Sequence, residues 1–277
     1  MGQIGPGFLS LPHRTPKPRS EGLTHVLDKG LSLFALESLI QTAGDAMDIV
    51  KLGWGTSYVS EGVKAKVGLC RSAGIHLSPG GTLLEICEHQ GRIPQYVGWL
   101  QRLGVTHVEV SNGAFGMETA RKRELIRMLA PDFTVLSECG SKNPDVEVVA
   151  ADWVAEMAGD LEAGASLLIA EARESGTVGL YLPDGRVRAD LVEALVRELP
   201  VEKIIFEAPR KDQQAWFIRR LGSVASLGNI PSDEVVALET LRLGLRSDTL
   251  DLLPEAGERP RVVDAGSPVP SAPPLFH

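Results

Sequence analysis

The feature that most constrains this chain is a recurring pattern: a short apolar run followed by an amphipathic helical stretch, about every 25 to 30 residues. Eight runs can be read: LTHVLD (23–28), DIVKLG (48–53), IHLSPG (75–80), HVEVSN (107–112), TVLSEC (134–139), SLLIAE (166–171), KIIFEA (203–208) and VASLGN (224–229). Helix candidates that follow them include LFALESLIQTAG (33–44), RIPQYVGWLQRLG (92–104), VVAADWVAEMAGDLEAGA (148–165) and SDEVVALETLRLGL (232–245). Strands joined by helices of this length form right-handed crossovers and a parallel sheet. Eight such units in about 230 residues predict an α/β fold, a single (β/α)8 TIM barrel over residues 21–250. An open doubly wound sheet is the runner-up, but the first run lacks a following GxGxxG and no GxxxxGK[ST] occurs. Residues 1–20 and 251–277 carry Pro and small residues without apolar periodicity, so a flexible N-terminal segment and a disordered Pro-rich tail are expected.

Charge limits the partners. With 28 Lys and Arg against 36 Asp and Glu the net charge is −8, which disfavours a broad nucleic-acid or anionic-membrane surface. An anion must be held locally. Three scattered cysteines (Cys70, Cys87, Cys139) without CxxC spacing point to a reducing cytoplasm, and no run approaches the ~18 apolar residues a bilayer span needs.

In a parallel barrel the active site forms at the carboxyl ends of the strands. There the chain places Asp28 and Lys29, Lys51, Glu109 with Ser111 and Asn112, Glu138, Glu171 with Arg173, Glu207, and Asn229. Strand alternation puts Val108 and Val110 toward the helices and Glu109 and Ser111 toward the interior. Glutamates on four successive strands need nearby cations to stay ionised. One source is a metal: oxygen donors suit Mg²⁺, which takes only one or two protein carboxylates, so Glu109, Glu138, Glu171 and Glu207 are candidates for its coordination, the remaining acids orienting lysines or transferring protons. The other is lysine: only nine of the cationic residues are lysines, yet Lys29, Lys51 and Lys142 fall at or just after strand ends. A lysine, unlike arginine, can act as acid, base or imine-forming amine. For a phosphate, Gly80 and Gly81 in SPGGT offer backbone amides at a helix start, and Arg210 and Lys211 offer charge.

Other chemistries are less well supported. The six histidines, at 13, 25, 76, 89, 107 and 277, show no HExxH or HxH spacing and read as packing or surface residues. No GxSxG elbow occurs, and Cys139 and His107 fall at opposite ends of the barrel. Trp54 reads as a site wall or as core; Arg242 and Arg246 read as interface, site or solvated helix face.

At these residues the chain resembles the phosphosulfolactate synthase family, the ComA-type enzymes. The segments that carry the resemblance are GLTHVLDKG (22–30), DIVKLGWGTS (48–57), SPGGTL (78–83), VEVSNG (108–113), SECGSK (137–142), IAEARESG (169–176), IIFEAPRKDQQ (204–214) and ETLRLGLRSDT (239–249). It implies a barrel lyase that adds sulfite to phosphoenolpyruvate with Mg²⁺, giving (2R)-phospho-3-sulfolactate for coenzyme M or another sulfonate, in a cytoplasmic homo-oligomer. It implies Lys142 as proton donor, with Lys51, Lys29 and Asp28 as further catalytic candidates. Arg173, Arg210, Lys211, Gly80, Gly81, Ser111, Asn112 and Asn229 are the expected substrate contacts. Asn112 stands where the family commonly has a carboxylate. A barrel aldolase using Lys51 or Lys142 as an amine, or a non-catalytic heat-stress-associated relative, are the alternatives.

Overall fold

A computed structural model describes residues 7–140 and 147–254. The eight strands are β1 (Thr24–Asp28), β2 (Ile49–Leu52), β3 (His76–Pro79), β4 (His107–Val110), β5 (Thr134–Cys139), β6 (Leu167–Ala170), β7 (Ile204–Glu207) and β8 (Ser226–Pro231). Each falls on or within two residues of an apolar run read from the sequence. The helices are α1 (Leu33–Ala43), α2 (Thr56–Val59), α3 (Val63–Ser72), α4 (Gly81–His89), α5 (Ile93–Leu103), α6 (Thr119–Leu129), α7 (Ala150–Ala163), α8 (Ala189–Glu198), α9 (Lys211–Leu221) and α10 (Val235–Arg242).

The strands pair in parallel in the order β3-β2-β1-β8-β7-β6-β5-β4. This is a nearly closed TIM barrel. Among the described residues no ladder joins β3 to β4; side chains close that seam. The rings of His76 and His107 stack at 4.0 Å, and the Ser78 hydroxyl donates to Glu109 Oε1 at 3.2 Å.

Alternation divides the core as expected. Val26, Val50, Leu77, Val108, Val135, Leu168, Phe206 and Leu227 face outward and pack under the helices. Leu23, Ile49, Leu136, Ile169 and Ile205 form a separate apolar floor inside the barrel. Above that floor the interior turns polar.

At the amino ends of the strands, Arg242 in the last turn of α10 is fully buried. Its guanidinium donates to the carbonyls of Ala225 at 2.5 Å and Leu23 at 3.2 Å. It is therefore neither a mouth residue nor on a solvated helix face. Residues 7–20 form neither helix nor strand, yet they are tied to this end. Arg14 pairs with Glu239 at 2.8 Å and Arg19 with Asp48 at 3.0 Å, both guanidinium groups being almost fully buried.

Candidate active site

The inward residues just above the floor build the site around one ammonium group. Lys51, on β2, enters from beside β1 and β3. Its Nζ lies 2.6 Å from Glu138 Oε1 on β5, 2.9 Å from Glu109 Oε2 on β4 and 3.3 Å from Glu207 Oε1 on β7. All four side chains are buried. Three strand-end glutamates predicted from the sequence thus converge on a lysine also predicted from it.

The remaining bonds fix their orientation. Glu109 Oε1 also receives His25 Nε2 at 3.1 Å, and its Oε2 receives the Gly81 amide at 3.2 Å. Glu207 Oε2 accepts the Ala172 amide at 2.8 Å. Gly81 opens α4 directly over this group. A Cβ there would lie 2.5 Å from Ser111 Oγ and 2.8 Å from Glu138 Oε2, so only glycine fits.

These contacts set the charges. Burial alone would lower the Lys51 pKa, but Glu109, Glu138 and Glu207 outweigh it and hold the ammonium well above its usual range. Burial raises Glu207 to about 7; Lys51 opposes the rise and Glu138 adds to it. The site therefore combines a permanently charged lysine with an acid that exchanges its proton near neutral pH.

Of the two roles open to these glutamates, coordinating Mg²⁺ and orienting lysines, the geometry of Glu109, Glu138 and Glu207 is that of orienting Lys51. Both oxygens of Glu109 and of Glu207 are already engaged by protein donors, and the Lys51 ammonium sits between the carboxylates. Among the described residues no group of three or more His, Cys, Asp or Glu side chains has the geometry to hold a metal ion.

The other predicted residues divide into three sets. At the mouth are Asn229, Ser111 and Glu171, all buried. Asn229 sits on β8 beside a break in the β1–β8 register, with φ +53 and its Nδ2 3.4 Å from the Ala172 carbonyl. The Ser111 hydroxyl donates to Glu85 Oε1 at 2.5 Å, and Glu85 also accepts the amides of Ala114 and Phe115. Around the rim lie the exposed cations. Lys29 pairs with Glu174, Arg210 with Asp212 at 3.2 Å and Lys211 with Asp248 at 2.9 Å, while Arg173 is exposed on the loop after β6. Lys29, Leu27, Pro231 and Asp233 line a cleft of about 290 Å³ between the β1 and β8 loops. Gly80 is buried against Trp54, whose own φ of +52 and partial exposure make it a rim residue.

The third set lies outside the barrel interior. The side chain of Asp28 follows Val26 on the outward face: its Oδ2 pairs with Lys66 of α3 at 2.6 Å and its Oδ1 accepts the amides of Gly30 and Leu31. It orders the loop that carries Lys29. Asn112 is half-buried and donates to Glu156 at 3.3 Å. Lys142 lies outside the described residues.

Sequence reasoning missed two buried lysines that brace this end. Besides Lys66, Lys122 of α6 donates to the Glu138 carbonyl at 2.5 Å and pairs with Glu156 at 2.7 Å and Asp160 at 2.8 Å. The scarcity of lysine in the chain is the signal that could have found them.

A parallel barrel with an ammonium and titratable acids gathered at its carboxyl-end mouth defines a barrel enzyme. Residues 12–248 match the family described as (2R)-phospho-3-sulfolactate synthase (ComA). The chain is 42% identical to the phosphosulfolactate synthase of Methanothermobacter thermautotrophicus over 86% of its own length and 95% of the relative's. It is 38% identical to that of Bacillus subtilis, over 88% and 98%. The chain belongs to the phosphosulfolactate synthase family. Among solved structures, 3-hexulose-6-phosphate synthase from Salmonella typhimurium aligns with TM-score 0.53 at 13% identity, covering 79% of this chain and 98% of that one. The 3-keto-L-gulonate-6-phosphate decarboxylase of Vibrio cholerae aligns at 0.51 and 10%, covering 80% and 97%. At these identities they show the barrel fold alone. Among the described residues no helix is long and apolar enough to cross a membrane.

Proposed function

We propose that this enzyme is a carbon–sulfur lyase joining sulfite to phosphoenolpyruvate to give (2R)-phospho-3-sulfolactate. The observation that carries the reading is the Lys51 ammonium fixed among Glu109, Glu138 and Glu207 at the mouth of a chain of this family. The sulfur lone pair of sulfite bonds to C3 of the enol phosphate, and the C2–C3 π electrons move onto the carboxylate as an aci-carboxylate. A proton then adds at C2. Lys51 supplies positive charge where that dianion develops, in a buried setting that strengthens the attraction. Lys142 stays the candidate proton donor to C2, and Glu207 a nearby proton reservoir. Lys29, Arg173, Arg210 and Lys211 form the rim that draws in the anionic substrates.

An imine mechanism at Lys51 is not favoured, because an ammonium held charged by three carboxylates lacks the free lone pair a Schiff base requires. Mg²⁺, the expected cofactor, would supply further positive charge to the developing aci-carboxylate alongside Lys51. A cytoplasmic location and a homo-oligomer complete the proposal. The test is purified protein with phosphoenolpyruvate and sulfite, followed by ³¹P NMR with Mg²⁺ and with EDTA. Sulfite-dependent formation of a new phosphate ester, lost in EDTA, is expected; phosphoenolpyruvate persisting in both conditions would overturn the reaction.

A further inference from the structure

We propose that His25 is a positioning residue for Lys51, acting through Glu109; this rests on the reaction proposed above. The sequence offered His25 as packing. It lies on the inward face of β1, directly above the apolar floor, and its ring is wholly buried. Its Nε2 is 3.1 Å from Glu109 Oε1. An ionised carboxylate only accepts, so the imidazole is the donor there. Glu109 thereby receives four donors from four separate elements: His25 of β1, Ser78 of β3, Lys51 of β2 and the Gly81 amide of α4. It cannot turn toward or away from Lys51 without losing several of them. A His25–Glu109–Lys51 chain runs from floor to mouth.

Two observations set His25 apart from filler. Its Nδ1 is buried without a hydrogen-bond partner among the described residues, a cost that an apolar ring in the same space would avoid. The space itself depends on Gly228 of β8, where a Cβ would fall 3.1 Å from Nδ1 and 2.9 Å from Ile205 Cγ2. The ionisable groups this ring meets are Glu109, through Nε2, and His107 at the β3–β4 seam, where His107 stacks on His76. Burial, with His76 and His25 adding to it, pushes His107 down to about 3, so the seam is neutral at working pH. Glu109 is the partner that an Nε2 proton serves.

The test compares His25→Phe, which cannot donate to Glu109, with His25→Gln, which can. kcat and KM for phosphoenolpyruvate are measured from pH 6 to 9 beside thermal melts. The expected result for His25→Phe is a kcat loss of about 10- to 100-fold, typical for the supporting partner of a site residue. KM should stay within a few-fold. His25→Gln should restore most of kcat. A folded His25→Phe enzyme with the wild-type kcat would overturn the proposal. So would equal kcat losses in both variants that follow their melting temperatures. If the Phe variant does not fold, His25→Asn, polar but too short to reach Glu109, is read the same way. A second readout needs no turnover: ¹⁵N-histidine NMR of the full chain should show a proton on His25 Nε2, with that proton signal shifting in Glu109→Gln. An Nδ1–H tautomer overturns the proposal. Wild-type protein without sulfite-dependent turnover refutes the reaction instead, and the NMR result still decides the His25–Glu109 contact.

Discussion

Replacing Lys51 by methionine changes one atom group at the centre of the site, and its cost follows from the geometry. Methionine occupies much of the lysine stem but leaves Glu109, Glu138 and Glu207 facing one another with no ammonium between them. Removing one partner of a buried pair costs about 3–5 kcal/mol when the remaining charge has no escape. Here the acids can escape by taking up protons, so the cost depends on pH. In the variant at least one glutamate besides Glu207, itself already raised in wild type, takes up a proton in the native state that it does not hold when Lys51 is present. The native chain then binds the extra proton, and stability falls as pH rises by about 1.4 kcal/mol per unit per proton. Between pH 5.5 and 8.5 one such proton amounts to roughly 4 kcal/mol. The wild-type ammonium, carried well above its ordinary range by three glutamates against the pull of burial, stays charged throughout that window. Its contribution is lost only in strong alkali, where pH passes through its raised folded-state pKa. Urea unfolding of both proteins at pH 5.5 and 8.5 should therefore give a modest difference at the lower pH and one several kcal/mol larger at the higher. A difference independent of pH would refute the claim that the ammonium holds three ionisable acids together.

Glu207, raised to about 7 chiefly by burial, contributes stability that is full below about 4.5 and lost as pH rises through 7; Glu207→Gln should flatten the stability–pH curve by up to about 3 kcal/mol over that window, measured by urea titration. Lys66→Met breaks the outward pair with Asp28 and should cost about 3–5 kcal/mol in urea unfolding while kcat of the folded enzyme stays within a few-fold. Gly81→Ala inserts a Cβ against Ser111 and Glu138 and should cost about 1–3 kcal/mol in thermal unfolding together with a lower kcat. Cys70, raised to about 12 mainly by burial, should resist iodoacetamide at pH 8, as followed by mass spectrometry of the native protein.

The barrel was legible because its evidence is local: each strand is a short apolar run and each helix a separate periodic stretch. The inward set was legible by parity. The same parity decides Asp28, which follows Val26 onto the outward face, so treating the residue at a strand end as a mouth residue fails there. The partners of the strand-end acids were not legible. Glu109, Glu138 and Glu207 read equally as metal ligands or as acids that orient lysines, because their separation in space is set by strands far apart in sequence. Only the register of the nearly closed barrel shows that Lys51 reaches all three. Lys66, Lys122 and Arg242 reach strand ends from helices, and helical periodicity identifies a buried face without naming what its charged members meet. His25 carried no motif at all; its role depends on Glu109 across the barrel and on the space left by Gly228.

The most direct test of the central claim is the kcat/KM for sulfite-dependent conversion of phosphoenolpyruvate in wild type, Lys51→Met and Lys51→Arg, each checked as folded at pH 6. The wild type should turn over, with Lys51→Met at background and Lys51→Arg far below wild type, because a guanidinium cannot take the compact position among three carboxylates. A Lys51→Met enzyme that keeps a tenth or more of wild-type kcat/KM would contradict the account.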